Sequence, residues 1–496
     1  MRAGGILLPI FSLPSKYGIG CLSKEAYEFV DFLAESKQKY WQILPLGPTS
    51  FGDSPYQSFS TFAGNPYFIS LESLNEQGLL TEEECDSVDF GDDETKVDYA
   101  KLYEGRFRLL RKAYVRSKIY KKHEFFEFKK ENAYWLRDYA LFMALKDWFH
   151  GVPFIEWPED IRKRYGYAMD YYQKNLYYDI EFYEYLQYEF YRQWFSLKKY
   201  ANEKGIQIIG DIPIYVAYDS ADLWARPELF QLDDDLQMQA VAGCPPDGFS
   251  KNGQLWGNPL YRWDYHRDSN FDWWIKRIEK CATLYDVTRI DHFRGFDQYY
   301  AIPAGDKNAC NGQWENGPGN DLFLAIRYCL GPVNIIAEDL GYITDSVRKL
   351  VRDTGFPNMK VLEFAFDSRE SDGAKEYLPY NYDTNCVVYT GTHDNETLMS
   401  WSKTIQKKEV KQIQDYVGKH FKTYQEVVEE MLRLAIASSA KLCVIPIQDY
   451  LGLGDEARIN TPSTLGGNWK WRLREGQLTP ELARRIGTYM TRYGRN

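Results

Sequence analysis

Asp291 closes the run Val287-Thr288-Arg289-Ile290-Asp291-His292-Phe293-Arg294-Gly295-Phe296, in which a short apolar, β-branched stretch gives way abruptly to polar residues. The pattern reads as a buried strand delivering a carboxylate to a site. Arg289 and Asp291 are two apart, so on a strand both side chains leave the same face, and the guanidinium favours the ionised form of the carboxylate beside it. An ionised carboxylate at a strand end can serve as a nucleophile. Two further stretches share the design: Asn334-Ile335-Ile336-Ala337-Glu338-Asp339-Leu340-Gly341, and Cys386-Val387-Val388-Tyr389-Thr390-Gly391-Thr392-His393-Asp394-Asn395-Glu396-Thr397.

A single acid after an apolar strand is usually a helix cap or a loop ion pair. Recurrence argues for more. In a barrel of parallel strands the C-terminal strand ends converge on one face, so acids far apart in sequence meet there. The elements that such a site needs are present. Strands are expected at residues 6–10, 40–46, 206–211, 287–292, 334–339, 358–364, 386–390 and 442–447, with helical stretches between most of them. Eight strands alternating mainly with helices indicate an α/β fold, the (β/α)8 TIM barrel, with no separate β-domain after the eighth strand.

The chain is read as one catalytic barrel over residues 1–496, interrupted twice. Residues 24–38 form an amphipathic helix behind Ser23 as N-cap, with Ala26, Phe29, Val30 and Leu33 on one face. The irregular stretch 47–66 hangs from the second strand, which places Asp53, Ser54 and Tyr56 on the site rim, although each also suits a turn. Residues 67–202 are a helical insertion with helices expected at 133–150 and 182–202; its runs Lys121-Lys122 and Lys129-Lys130-Glu131 read as solvated faces. Asp211 ends the third strand as a fourth rim carboxylate. A second insertion, 213–270, carries the Gly- and Pro-rich stretch Ala242-Gly243-Cys244-Pro245-Pro246-Asp247-Gly248-Phe249-Ser250 and then Trp256, a composition that predicts an irregular, lid-like loop.

Composition narrows the function classes. A net charge of -11 argues against a general nucleic-acid binder. No uncharged run approaches the roughly 20 residues of a membrane span, and the short apolar run near the start is too brief for a secretory signal, so a cytoplasmic, membrane-free protein is expected. Eight cysteines without a CxxC pair are expected to be reduced, buried hydrophobes and not a disulfide frame or zinc site. Asp233-Asp234-Asp235 lacks EF-hand spacing and reads as a solvated turn. Aromatic residues make up 17%, with 14 Trp and 40 Tyr, which supplies core and also flat faces on which sugar rings stack.

The segments around Asp291, Glu338 and Asp394 resemble the signature regions of the α-amylase superfamily. Together with Asp53-Ser54-Pro55-Tyr56-Gln57, Gly210-Asp211-Ile212-Pro213-Ile214-Tyr215-Val216, the Pro245 to Tyr261 stretch, Asn460-Thr461-Pro462 and Gly467-Asn468-Trp469, they resemble the 4-α-glucanotransferase (amylomaltase, disproportionating enzyme) family, glycoside hydrolase family 77. The resemblance implies retaining transfer of α-1,4-glucan segments between maltooligosaccharides, with glucose as an acceptor. It makes Asp291 the nucleophile, Glu338 the acid/base and Asp394 a partner to the hydroxyls of the cleaved sugar. It also makes Tyr56, Ser54, Asp211, Trp256, Arg289, His393 and Asn468 substrate-binding residues. No metal or organic cofactor is implied.

That chemistry suits the residues themselves, because retention requires a nucleophilic carboxylate and a protonated carboxylic acid about 5 to 5.5 Å apart. Glu338 must then hold its proton near neutral pH while Arg289 keeps Asp291 ionised. For His292 and Asp339 a scaffolding role stays open. A hydrolytic α-glucanase with the same acids and a non-catalytic glucan-binding barrel are the competing classes, and the fold alone separates none of them. Whether the chain acts as a monomer or homodimer is not legible.

Overall fold

A computed structural model describes residues 2–50, 52–246, 251–341, 343–367, 374–464 and 466–496. Its strands are β1 (Ala3–Leu7), β2 (Tyr40–Gln42), β3 (Gln207–Pro213), β4 (Ala240–Cys244), β5 (Gln254–Pro259), β6 (Val287–Asp291), β7 (Gln298–Pro303), β8 (Gln313–Asn316), β9 (Ile335–Ala337), β10 (Asn358–Val361), β11 (Cys386–Tyr389) and β12 (Leu442–Pro446). Eight of these close a barrel in the order β1-β12-β11-β10-β9-β6-β3-β2, and every pairing within it is parallel. Each expected strand position holds one of them. Parallel strands covered on both faces read as continuous apolar runs, as in Cys386-Val387-Val388-Tyr389 and Leu442-Cys443-Val444-Ile445, all buried. The exceptions, Gln42, Asp211, Thr288 and Arg289, are polar yet buried. Three of them find partners inside the barrel: Tyr389 Oη donates to Gln42 Oε1 at 2.7 Å, and Arg289 binds Asp211.

Strand ends differ from the sequence reading where backbone turns intervene. The tenth strand stops at Val361 and Leu362–Ala365 coils into a 3-10 turn, so the expected strand 358–364 is shorter. The first helix runs Lys24–Glu35 and breaks where Lys37 takes a left-handed φ of 59°. Its predicted apolar face is buried, but the Ser23 hydroxyl does not cap it: it donates to Glu25 and is also hydrogen-bonded with the Ser15 hydroxyl.

The insertion after β2 is helical, dominated by antiparallel packing of Ala133–Trp148 against Tyr177–Glu203. Its aromatic residues mostly pack on one another, as in the cluster of Phe62, Trp135, Tyr139 and Tyr191. Asp233-Asp234-Asp235 is an exposed turn in which Asp233 Oδ1 accepts from the backbone of Asp235 and Gln237.

The stretch expected to be an irregular loop is different. Residues 240–244 and 254–259 are strands of an antiparallel sheet ordered β5-β4-β7-β8, with Val241, Tyr300, Ile302 and Ala309 as its own small core. Two of its strands precede β6 and two follow it, so the sheet is assembled from both the β3–β6 and the β6–β9 connections. Asp247, Gly248, Phe249 and Ser250 lie outside the described residues. The cysteines also differ in part: all eight are free, five are buried, but Cys244 is half-buried and Cys310 and Cys329 are exposed. No helix among the described residues is long and apolar enough to cross a membrane, and no group of three or more His, Cys, Asp or Glu there is arranged to hold a metal ion.

Candidate active site

Register sets the first two acids side by side. Strands β6 and β9 pair Thr288 with Ile335, Arg289 with Ile336 and Ile290 with Ala337, so the next position on each is Asp291 and Glu338. Neighbouring strands lie about 4.8 Å apart, which is the scale on which two carboxyl groups share one bond of a substrate. The chain then turns sharply: His292 has a left-handed φ of 55°, a conformation a non-glycine residue adopts at a cost of about 1–3 kcal/mol. The turn aims the His292 backbone N–H at Glu338 Oε2, 2.6 Å away, while Leu340 N donates to Oε1 at 2.8 Å. The adjacent Asp339 serves the scaffold, accepting from Met359 N and Asn358 Nδ2 of β10.

Strands β3 and β6 place Asp211 opposite Arg289 in the same way. Nη1 of Arg289 reaches both Asp211 oxygens at 2.6 and 2.7 Å, and Nη2 reaches Asp291 Oδ1 at 2.9 Å. Asp211 is fully buried, whereas the Asp291 side chain keeps 32% of its exposure, with Oδ2 free of hydrogen bonds among the described residues. Tyr56 Oη donates to Asp211 Oδ2 at 2.9 Å. The Tyr56 ring stacks on His393 with centroids 5.2 Å apart and planes within 13°.

Asp394 arrives from the turn after β11. Its Oδ1 accepts from Asn460 Nδ2 at 2.6 Å and lies 3.3 Å from His393 Nε2, while its carbonyl accepts from Arg458 Nη2 at 3.0 Å. Trp469 packs against both Tyr56 and His393. Of the two asparagines in the C-terminal motifs, then, Asn460 holds the carboxylate. Asn468 braces its own turn through Thr461 N and Thr464, and Ser54 shapes the 54–57 turn by accepting from Tyr56 N. Asp53 sits at φ 60° in the same loop, and burial raises its carboxyl.

Trp256 lies in strand β5, half-buried, with its ring edge-on to His292 at 4.7 Å and its indole N–H donating to Gln254 Oε1. His292 Nε2 is buried without a hydrogen-bond partner among the described residues, and burial together with Arg294 lowers the ring to about 3, so it is neutral throughout the physiological range. Gln254, Arg458, Asn460 and Trp469 escaped the sequence reading as site residues, whereas for His292 that reading leaves scaffold and site both open. The motif Asn460-Thr461-Pro462 was the available signal for one of them.

Electrostatics separate the two central acids. Glu338 is raised to about 8, by burial first and then by the charge of Asp291; Arg289 and the two backbone N–H groups oppose the shift. Asp291 is raised as well, by burial first and further by Asp211 and Asp394, but Arg289 opposes this directly, and the guanidinium bonds Asp291 and not Glu338. Glu338 is therefore the member of the pair that keeps a proton near neutral pH, and the Arg289 contact favours the ionised form of Asp291. A protonated acid beside an ionised carboxylate can donate to a leaving oxygen while the carboxylate attacks the carbon it leaves.

Comparison with known proteins places the chain in a family. The family described as 4-alpha-glucanotransferase matches residues 8–479. Over 489 residues the chain is 47% identical to the 4-alpha-glucanotransferase of Clostridium butyricum, covering 98% of this chain and 99% of that one. It is 46% identical to the Thermus thermophilus 4-alpha-glucanotransferase, covering 98% and 97%. A solved amylomaltase from Streptococcus agalactiae in complex with acarbose superposes over 100% of both chains with a TM-score of 0.96 at 43% identity. With the family match taking in nearly the whole chain, this protein belongs to the 4-alpha-glucanotransferase family.

Proposed function

We propose that the protein transfers α-1,4-glucan segments from one maltooligosaccharide to the 4-hydroxyl of another glucan or of glucose, with retention. The observation that carries the mechanism is the buried Glu338 carboxyl, raised to about 8, set by register beside the Arg289-paired Asp291. In the first step Asp291 Oδ2 attacks the anomeric carbon as the glycosidic C–O bond breaks, and the Glu338 proton passes to the leaving oxygen. The glucosyl ester on Asp291 is then attacked by an acceptor 4-hydroxyl, whose proton returns to Glu338. Asp394, fixed by Asn460, binds the hydroxyls of the cleaved sugar, and Tyr56 stacks on its ring.

Transfer in place of hydrolysis requires that sugar outcompete water at the ester, and Trp256 over the neutral His292 is positioned to shield it. Maltotriose is the discriminating substrate. A transferase breaks and forms like bonds, so glucose and a ladder of longer maltooligosaccharides are expected while total reducing ends stay nearly constant. Reducing ends that rise with every cleavage, without products longer than the substrate, would leave the hydrolase; unchanged maltotriose would leave a binding protein. Trp256→Ala is expected to lower transfer more than first-bond cleavage, raising the hydrolysis-to-transfer ratio about 10-fold, since one lost contact of this kind is worth about 1–2 kcal/mol. Equal losses in both steps would assign the tryptophan a structural role only. No cofactor or metal enters these steps.

A further inference from the structure

The turn that carries His393 and Asp394 rests on a buried acid the mechanism does not use. Glu363, on the 3-10 turn after β10, donates its backbone N–H to the carbonyl of Thr390 at 3.1 Å, and its side chain is buried. The carboxyl lies directly under Gly391: a methyl group built there would come within 3.1 Å of Glu363 Oε1 and 3.3 Å of its Cδ. A side chain at 391 would therefore press on the acid, and equally on Asn395 Cβ at 3.1 Å, whereas glycine leaves the contact unstrained. Elsewhere the turn is pinned by named contacts. Asp449 accepts from Thr390 Oγ1 at 2.6 Å and from Leu398 N at 2.7 Å, gripping both ends, and Arg458 and Asn460 hold Asp394.

The charges facing Glu363 are those of Asp449, Glu396, Asp367 and Arg458, three acids and one base from four separate segments. Burial, then Asp449, Glu396 and Asp367 in that order, hold its carboxyl well above the usual carboxylate range, with Arg458 opposing. Its Oε1 has no hydrogen-bond partner among the described residues. A charge there would be unsolvated as well as repelled, and the structure could relieve it only by drawing the turn and the acid apart.

We infer that Glu363 is a positioning residue for the proposed transfer reaction: its buried side chain supports Gly391 from below and so sets the height of Asp394 in the site. The inference rests on Asp394 acting in the transition state. Mispositioning should then show in kcat with little change in KM.

Kinetics on maltotriose for two variants test it, read both as transfer and as total cleavage. Glu363→Gln keeps the shape and stays uncharged, so its kcat should lie within about twofold of wild type. Glu363→Asp falls one methylene short of Gly391 and should lose about 10- to 100-fold in kcat, the scale of a misplacement near 1 Å, with KM nearly unchanged. The thermal midpoint supplies a readout that does not depend on activity. The folded protein keeps a proton that the unfolded chain releases above the ordinary value of 4.5, so wild-type stability from this group declines as pH rises above that value. The midpoint of Glu363→Gln should therefore gain on wild type as pH increases. Loss of kcat in Glu363→Gln equal to that in Glu363→Asp, full activity in Glu363→Asp, or parallel midpoints for wild type and Glu363→Gln across pH would each overturn the inference. If wild type only hydrolyses maltotriose, the transfer reading falls while the cleavage kinetics still decide the role of Glu363.

Discussion

Turnover of maltotriose by Asp291→Ala should fall by on the order of 10⁴-fold or more, the scale on which enzymes lose rate when a covalent nucleophile is removed, while the barrel stays folded. The fold should survive because Asp291 is at a strand end, keeps part of its exposure, and shares its guanidinium partner with Asp211, which remains to pair it. Glu338→Gln should differ in kind. It cannot donate a proton, so maltooligosaccharides with poor leaving groups are cleaved very slowly, yet a donor with a good leaving group still esterifies Asp291. Lacking its base, the variant then accumulates the glucosyl ester, and mass spectrometry of the digested protein should place the adduct on Asp291. An adduct on another residue, or none, would remove Asp291 from the role. The wild-type pH profile belongs to the same prediction: kcat/KM should decline as pH rises through about 8, where Glu338 loses its proton, and Glu338→Gln should lack that limb.

Arg289→Met should cost about 3–5 kcal/mol of stability as well as activity, because it leaves the fully buried Asp211 charged and unpaired. Denaturant unfolding measures this directly. The companion variant Arg289→Met/Asp211→Leu removes both charges and should recover most of the stability, since a buried ion pair and a packed apolar pair are often of similar worth. Activity should not return with it: Tyr56 loses the carboxylate that holds its hydroxyl and Asp291 loses its cation. An Arg289→Met protein as stable as wild type would mean that water enters the barrel and solvates Asp211.

Much of this site was readable in the sequence because one rule governs it. Barrel strands alternate inward and outward, so Arg289 and Asp291 had to share a side, and the parallel register then carries Glu338 and Asp211 beside them. What that rule does not reach was misread. Gly243 and the prolines after it look like a loop, but the glycine serves close pairing: a side-chain carbon there would meet the backbone oxygen of Gln254 at 2.2 Å, so its absence is what allows β4 and β5 to form. The choice between Asn460 and Asn468 depends on left-handed turns at Ser463 and Trp469, which no pattern of residue types encodes for non-glycine positions. Glu363 stands just beyond a short strand whose end the apolar run 361–366 conceals, and its burial depends on a partner segment nearly thirty positions away.

The small antiparallel sheet has a consequence for how such proteins can be recombined. Strands β4 and β7 are paired along their length, from Ala240 opposite Pro303 to Gly243 opposite Tyr300, and the chain between them passes down and back through the barrel by way of β6. The outer sheet and the strand bearing Asp291 are therefore threaded as one piece. A chimaera that exchanges residues 214–286 alone with a relative would splice two halves of a foreign and a native sheet along the β4–β7 seam. One that exchanges 214–316 keeps the seam intact but must also import the donor's own β6. The outer sheet and the strand bearing Asp291 are thus expected to be inherited together, and crossover libraries built from this family should recover active members mainly from junctions that fall outside that interval.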